Sequence, residues 1–355
     1  MHGVNAHFAT PKIRILWLYF FTKINTTNPH KVYLWEKRMI TKKRTMKHTI
    51  TLGLFVVLLI TSIGEFANAH PLPKENTVPV NRALTLKFNL KPGEQYFFSS
   101  ATKQNITQNF MGQQMATTQD ILSEYVYDIQ SVQNGVTAIN VTFSRIKMDT
   151  DVAGMQRLTF DSENPETSTS ELSAISNLVG KSFLMHINEE GSVEKVEGLA
   201  DIINAVGGQQ AEMLKQSFGD SSMILSMNQM TNIYPANQVD IGESWIKAFT
   251  GPIAGMMQSE ATSKFVLSKT EGDLAILEVD GQMNFSKLQN GGNPMLQGAE
   301  FNLKGTQKGT LRVDIESGLP IQTSLKQDIS GDIEVQGMQI PMSIVSDITI
   351  TGKKL

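Results

Sequence analysis

The sequence predicts an α+β fold: two strongly curved antiparallel β-sheets, related by an internal duplication, with helices from a central segment packed on them. Three observations lead there. Apolar and polar residues alternate with period two over 81–164 and again over 236–355. The stretch between them, 165–235, spaces its apolar residues at helical intervals around one hairpin. Short motifs also recur in the same order in the two outer stretches.

The chain starts with a segment that is not expected to belong to the fold. Lys42, Lys43, Arg44 and Lys47 precede an apolar run from Ile50 to Ile63, and Ala67-Asn68-Ala69 has the small-x-small form of a cleavage site. Met46 to Ala69 therefore reads as a secretory signal peptide, and the run is shorter than the roughly 20 residues a spanning helix needs. Residues 1–45, with nine Lys or Arg against one Glu, read as a non-native upstream extension. Residues 70–80, with three prolines, read as an extended leader.

Removing residues 1–69 takes away ten of 31 basic residues and two of 34 acidic ones, leaving 21 and 32 and a net charge of about −11. Such a chain repels phosphate backbones, so nucleic acid is not an expected partner. The absence of cysteine excludes disulfides, thiolate nucleophiles and zinc–thiolate sites. No integral membrane span is expected after signal cleavage, which makes the expected product secreted or periplasmic.

In the N-terminal β repeat, 81–164, Leu84, Leu86, Phe88 and Leu90 alternate, Lys91-Pro92-Gly93 turns the chain, and Asn134-Gly135 marks a hairpin. In the central segment, 165–235, Ser168 and Glu171 have capping-box spacing ahead of Leu172, Ile175 and Leu178. Leu199 to Phe218 and Asp220 to Met230 give further helical patterns. In the C-terminal β repeat, 236–355, Met338, Ile340, Met342, Ile344, Ile348 and Ile350 all occupy even positions, so one face of a long strand is apolar. Gly93-Glu94-Gln95-Tyr96 is echoed by Gly242-Glu243-Ser244-Trp245, and Leu158 to Asp161 by Leu311 to Asp314.

No catalytic constellation emerges. His186 has no convincing acid or nucleophile beside it in sequence. Ser144-x-x-Lys147 falls in a strand, where positions i and i+3 point to opposite faces. Asp149-Thr150-Asp151 lacks the later ligands of a calcium loop, with Ala153 and Phe160 where oxygen donors belong. Methionine is the unusual residue: of 18, Met1, Met39 and Met46 precede the expected mature chain, leaving 15. Met223, Met227 and Met230 share a helix face and read first as core. Their second reading, with Trp245, is the lining of a lipid-like groove, and the third is thioether capture of Cu(I). No cofactor and no metal is expected.

Gly93-Glu94-Gln95-Tyr96, Asp161-Ser162, Gly191-Ser192-Val193 leading to Val196-Glu197-Gly198, and Tyr234-Pro235 ahead of Val239 to Trp245 together resemble a family of secreted bacterial proteins of unknown function. Curved sheets roofed by helices are also similar to the periplasmic lipoprotein-carrier fold, which implies acyl chains on the concave side. The expected function is an exported, non-enzymatic binding protein of the bacterial envelope, holding an apolar or lipid-like ligand, or an envelope protein, in a sheet concavity. The alternatives are a structural envelope scaffold without a cavity and a hydrolase built on carboxylates alone.

Overall fold

A computed structural model describes residues 83–355 apart from 111, 208–210, 212–213, 216–217, 254–256, 289–298 and 336. The expected upstream extension, signal peptide and leader lie outside the described residues. The fold is mostly β, and it corrects the expected α+β class with two sheets. Twelve strands form one open antiparallel sheet with only two α-helices among the described residues.

The strands are β1 (Gln95–Phe110), β2 (Gln113–Gln133), β3 (Val136–Val152), β4 (Gln156–Asp161), β5 (Ser182–Asn188), β6 (Val193–Glu197), β7 (Ser244–Ile253), β8 (Met257–Glu271), β9 (Leu274–Lys287), β10 (Glu300–Asp314), β11 (Pro320–Val335) and β12 (Met338–Lys354). Their order across the sheet is β6-β5-β3-β2-β1-β12-β11-β10-β9-β8-β7, with β4 beside one end of β3. What joins the two expected halves is the pairing of β1 with β12, from Tyr96 opposite Lys354 to Gln108 opposite Met342. Each strand hides one face. Ile139, Val141, Leu267, Leu277, Val313 and Ile344 are fully buried on the concave side. The convex side exposes Asp120, Lys264, Asp280, Lys304, Lys308, Lys326 and Asp328. Among the described residues that wall shows no continuous outward apolar band of the kind a barrel turns to lipid. No helix among the described residues is long and apolar enough to cross a membrane.

Turn chemistry fixes the hairpins. Asn134 and Gly135 both have positive φ, 52° and 77°, the combination a two-residue hairpin with the sheet's own twist requires. The echoed Gly-Glu motifs make matching turns. Gly93 N donates to Ile129 O and Ile129 N to Glu94 O; Gly242 N donates to Leu267 O and Leu267 N to Glu243 O.

The helix expected after Ser168 is instead two 3-10 turns, Pro165–Thr167 and Ser170–Asn177. Leu172, Ile175 and Leu178 recur every three residues, the repeat of a 3-10 helix, and all three are buried. Ser168 is not the cap of the second turn; its Oγ accepts from Asp161 N at the end of β4. Of the helical pattern expected over 199–218, α1 (Leu199–Asn204) is present; half of the remainder lies outside the described residues, and Ala211, Leu214, Lys215 and Phe218 are helical. Helix α2 (Asp220–Thr231) matches its pattern.

Residues 83–91, expected as a strand, cross one end of the curled sheet and pair only at Leu84 with Val239. Phe88 N donates to Glu189 O in the β5–β6 turn, and Asn89 N to Ser317 O in the β10–β11 turn. Leu86, Phe88 and Leu90 point inward and are buried, closing that end. Beside them Glu94 accepts from Lys354 Nζ at 2.6 Å and from Tyr96 Oη at 2.7 Å. Burial alone would raise the Glu94 pKa; the Lys354, Tyr96 and Lys91 donors outweigh it and hold the carboxyl below its ordinary range. A carboxyl so lowered stabilises the fold above its unfolded-state pKa, and that contribution is lost as pH falls through the folded value. Thermal melts down the acid limb should therefore show a shallower decline for Glu94→Gln than for the native chain, with the two converging at low pH.

Candidate functional site

Eight strands enclose an interior that side chains just fill, and width grows with strand number. The eleven strands in series here leave more room, and β6 and β7 do not pair to close the sheet. Helix α2 lies along that seam. Asp220 in its first turn suits the helix dipole, and the chain leaves it at Asn232, shortly before Pro235. Met223, Met227 and Thr231 are buried along one side and Leu225 on another, because the helix has a strand edge on each flank.

The seam is stitched by side chains. On the β6 flank, Asn228 Oδ1 accepts from Val193 N at 2.7 Å, and Thr231 Oγ1 donates to Gly191 O at 2.7 Å. On the β7 flank, Leu225 fills the space left by Gly251, whose added Cβ would stand 3.2 Å from Leu225 Cδ2. Just past the helix, Lys247 Nζ donates to Asn232 Oδ1 at 2.9 Å, and Trp245 Nε1 to Ile233 O at 2.6 Å. Burial lowers the Lys247 pKa, and the nearby Glu190 charge opposes that shift. Asn228→Leu would keep the volume and leave the Val193 N–H without its partner, so chemical denaturation should show a loss of about 1–3 kcal/mol.

Between α2 and the concave wall is a cavity of about 30 Å³, lined by Phe98, Tyr125, Tyr127, Leu311, Leu325 and Ile350 from the wall and by Gln229 and Met230 from the helix. Phe98, Tyr125 and Tyr127 form its aromatic floor, with centroids 5.0–5.7 Å apart. The Tyr125 hydroxyl is buried there without a hydrogen-bond partner. Further along the wall, inward-facing Ser100, Ile121, Ser123, Gly305, Gln307 and Gly309 keep intermediate exposure, so solvent reaches the middle of the concave face.

At that height the inward positions are polar in strict register. Gln119 faces Thr150 on one side and Gln104 on the other. Gln104 faces Ser346, which faces Gln327, which faces Gln307. The row ends through Gly281 and Ser263 at Lys247. Hydrogen bonds link Gln104 to Ser346 at 2.9 Å, Gln119 to Thr150 at 3.1 Å and Gln327 to Gln307 at 2.8 Å.

Of the residues expected to line a ligand groove, Met230 borders the cavity, and Met227 Sδ accepts from the floor residue Tyr127 at 3.7 Å. Met223 is buried on the same side of α2 away from the cavity lining, and Trp245 sits in the seam, stacked on Phe265 with centroids 6.0 Å apart. Sequence reasoning missed the polar row. Its one visible trace was Ser346, which interrupts the even-numbered apolar series of β12 and is 1% exposed.

The remaining candidates find ordinary partners. His186 Nε2 lies 2.9 Å from Glu197 Oε1, and Asp149 makes a two-pronged pair with Arg157 at 2.8 and 2.5 Å. Asp151 Oδ1 accepts from Gly154 N. Among the described residues no three His, Cys, Asp or Glu are placed to hold a metal ion.

A family model described as a family of unknown function, DUF6263, matches residues 134–320. The chain belongs to that family. No curated protein matches. Among solved structures the chain is similar to the translocator domain of the autotransporter NalP from Neisseria meningitidis, with 5% identity, a TM-score of 0.31, and 76% of this chain and 91% of that one covered. It is also similar to Pseudomonas aeruginosa OccK7 (OpdD), with 7% identity, a TM-score of 0.24, and 74% and 100% covered. Likeness that slight carries no argument about this DUF6263 member, and the expected similarity to periplasmic lipoprotein carriers is not shown.

Proposed function

We propose that this chain is an exported, non-enzymatic binding protein of the bacterial envelope that holds an apolar or lipid-like ligand between the concave face of its sheet and α2. The observation that carries the reading is the seam. A sheet with only a wall to build could close strand to strand; here the gap is filled by a short helix whose hold on either edge rests on a few side chains. Solvent access to inward-facing residues behind that helix supports it, and so does the signal-peptide pattern at Met46 to Ala69.

One observation favours the scaffold reading: the cavity is far smaller than the roughly 300 Å³ or more of a typical small-molecule site, so α2 must move for a chain-like ligand to enter. The hydrolase reading has less support, because the inward rows of the described strands carry no carboxylate to act as acid or base. Mass spectrometry of the exported protein under native conditions, with solvent extraction of the same sample, separates the first two. Ligand binding predicts a copurifying acyl species released by extraction. A bare polypeptide mass from every host and preparation would favour the scaffold.

A further inference from the structure

The polar row is not something the wall needs. Backbone hydrogen bonds already hold the strands, and the rows on either side are mostly apolar: Ile344, Ile329 and Met283 at one height, Ile348, Leu325 and Val279 at the other, with one buried threonine in each, Thr117 and Thr102. Burying a side-chain amide in such surroundings is unfavourable unless its hydrogen bonds are met, and an aliphatic residue of the same size avoids that cost. The row leaves one need unmet. Gln119 is 1% exposed, and its Oε1 has no partner while Nε2 donates to Thr150. Turning the amide over would let Thr150 satisfy the oxygen and leave the nitrogen over, so one end stays unpaired either way. Gln307, in the same row, is accessible to solvent. Lys247, at the seam, is the row's only ionisable side chain, and it is held by Asn232.

We propose that this row recognises an uncharged hydrogen-bonding link, an ester or amide, set within a hydrocarbon chain that lies along the strands. The inference rests on the ligand-binding reading and adds the ligand's chemistry to it. Hydrocarbon on both sides of the link meets the flanking apolar rows, and the link meets the row. A chain with no polar link leaves Gln119 Oε1 without a partner. A free carboxylate at this height would be desolvated, with Lys247 the one cation in the row to meet it.

The test uses the full chain and three probes presented from cyclodextrin: N-octyloctanamide, heptadecane of the same chain length, and palmitate. The amide should bind about tenfold or more tighter than the hydrocarbon, the worth of one or two buried hydrogen bonds, and tighter than palmitate. Gln119→Met and, separately, the half-buried Gln307→Met should each reduce that preference, weakening amide binding more than heptadecane binding. A row that only holds the wall would change melting temperature in these variants and leave the preference intact. Equal binding of amide and hydrocarbon by the native chain overturns the inference and leaves ligand binding standing. Binding of none of the probes removes the ligand-binding reading, and the inference with it.

Discussion

Gly191→Ala should cost about 2–5 kcal/mol in equilibrium unfolding, since a methyl group there meets two separate penalties. Gly191 has φ +88°, a conformation that L residues adopt poorly, and an added Cβ would stand 1.9 Å from Thr231 O and 2.8 Å from Phe88 Cε2. The first neighbour is backbone at the end of α2, so relief requires the helix to move away from the β5–β6 turn. The variant should then lose the Thr231 Oγ1 bond to Gly191 O as well. Gly180→Ala, also at positive φ but with nothing near its Cβ, isolates the conformational part and should cost about 1–2 kcal/mol. If the two variants unfold alike, α2 is not docked against this turn.

Tyr234→Ala should be comparably severe, at about 3–5 kcal/mol, as for other large aromatics removed from a core. Tyr234 is fully buried, its ring meets the edge of Phe88 with centroids 5.4 Å apart, and its hydroxyl donates to Gly318 O. That single residue ties the exit of α2 to residues 83–91 and to the β10–β11 turn. Tyr234→Phe keeps the ring and removes only the hydrogen bond, so it should cost about 1–2 kcal/mol. A large loss in the phenylalanine variant would mean that the hydroxyl, and not the ring packing, holds this end closed.

Much of the local grammar was legible in the chain itself. Asn134-Gly135 announced its hairpin, the even-numbered apolar series announced β12, and Asp220 to Met230 announced α2. The joining of the two halves into one sheet was not legible, because alternation looks the same on a strand whose edge is free and on one whose edge is paired. Tyr96 and Lys354 meet across nearly the whole length of the described residues, and nothing local marks them as partners. Period three over Leu172, Ile175 and Leu178 was open to either helix type, and eight residues were too few to choose. The methionines on α2 pointed to the right helix, yet the polar row needed register, since a glutamine at an inward position resembles any strand glutamine until its neighbours in space are known. Ser346 was the clue, and it carries meaning only beside Gln104 and Gln327.

Behind all of this stands the claim that α2 closes the seam of an open sheet over a space that a ligand enters. Trp245 reports on it directly, because its indole N–H is bonded to Ile233 O at the foot of the helix. In a chain carrying Trp17→Phe and Trp35→Phe, which leaves Trp245 as the only tryptophan, emission should shift saturably as N-octyloctanamide is added. An emission spectrum that stays unchanged up to the solubility limit of the probe would contradict the claim.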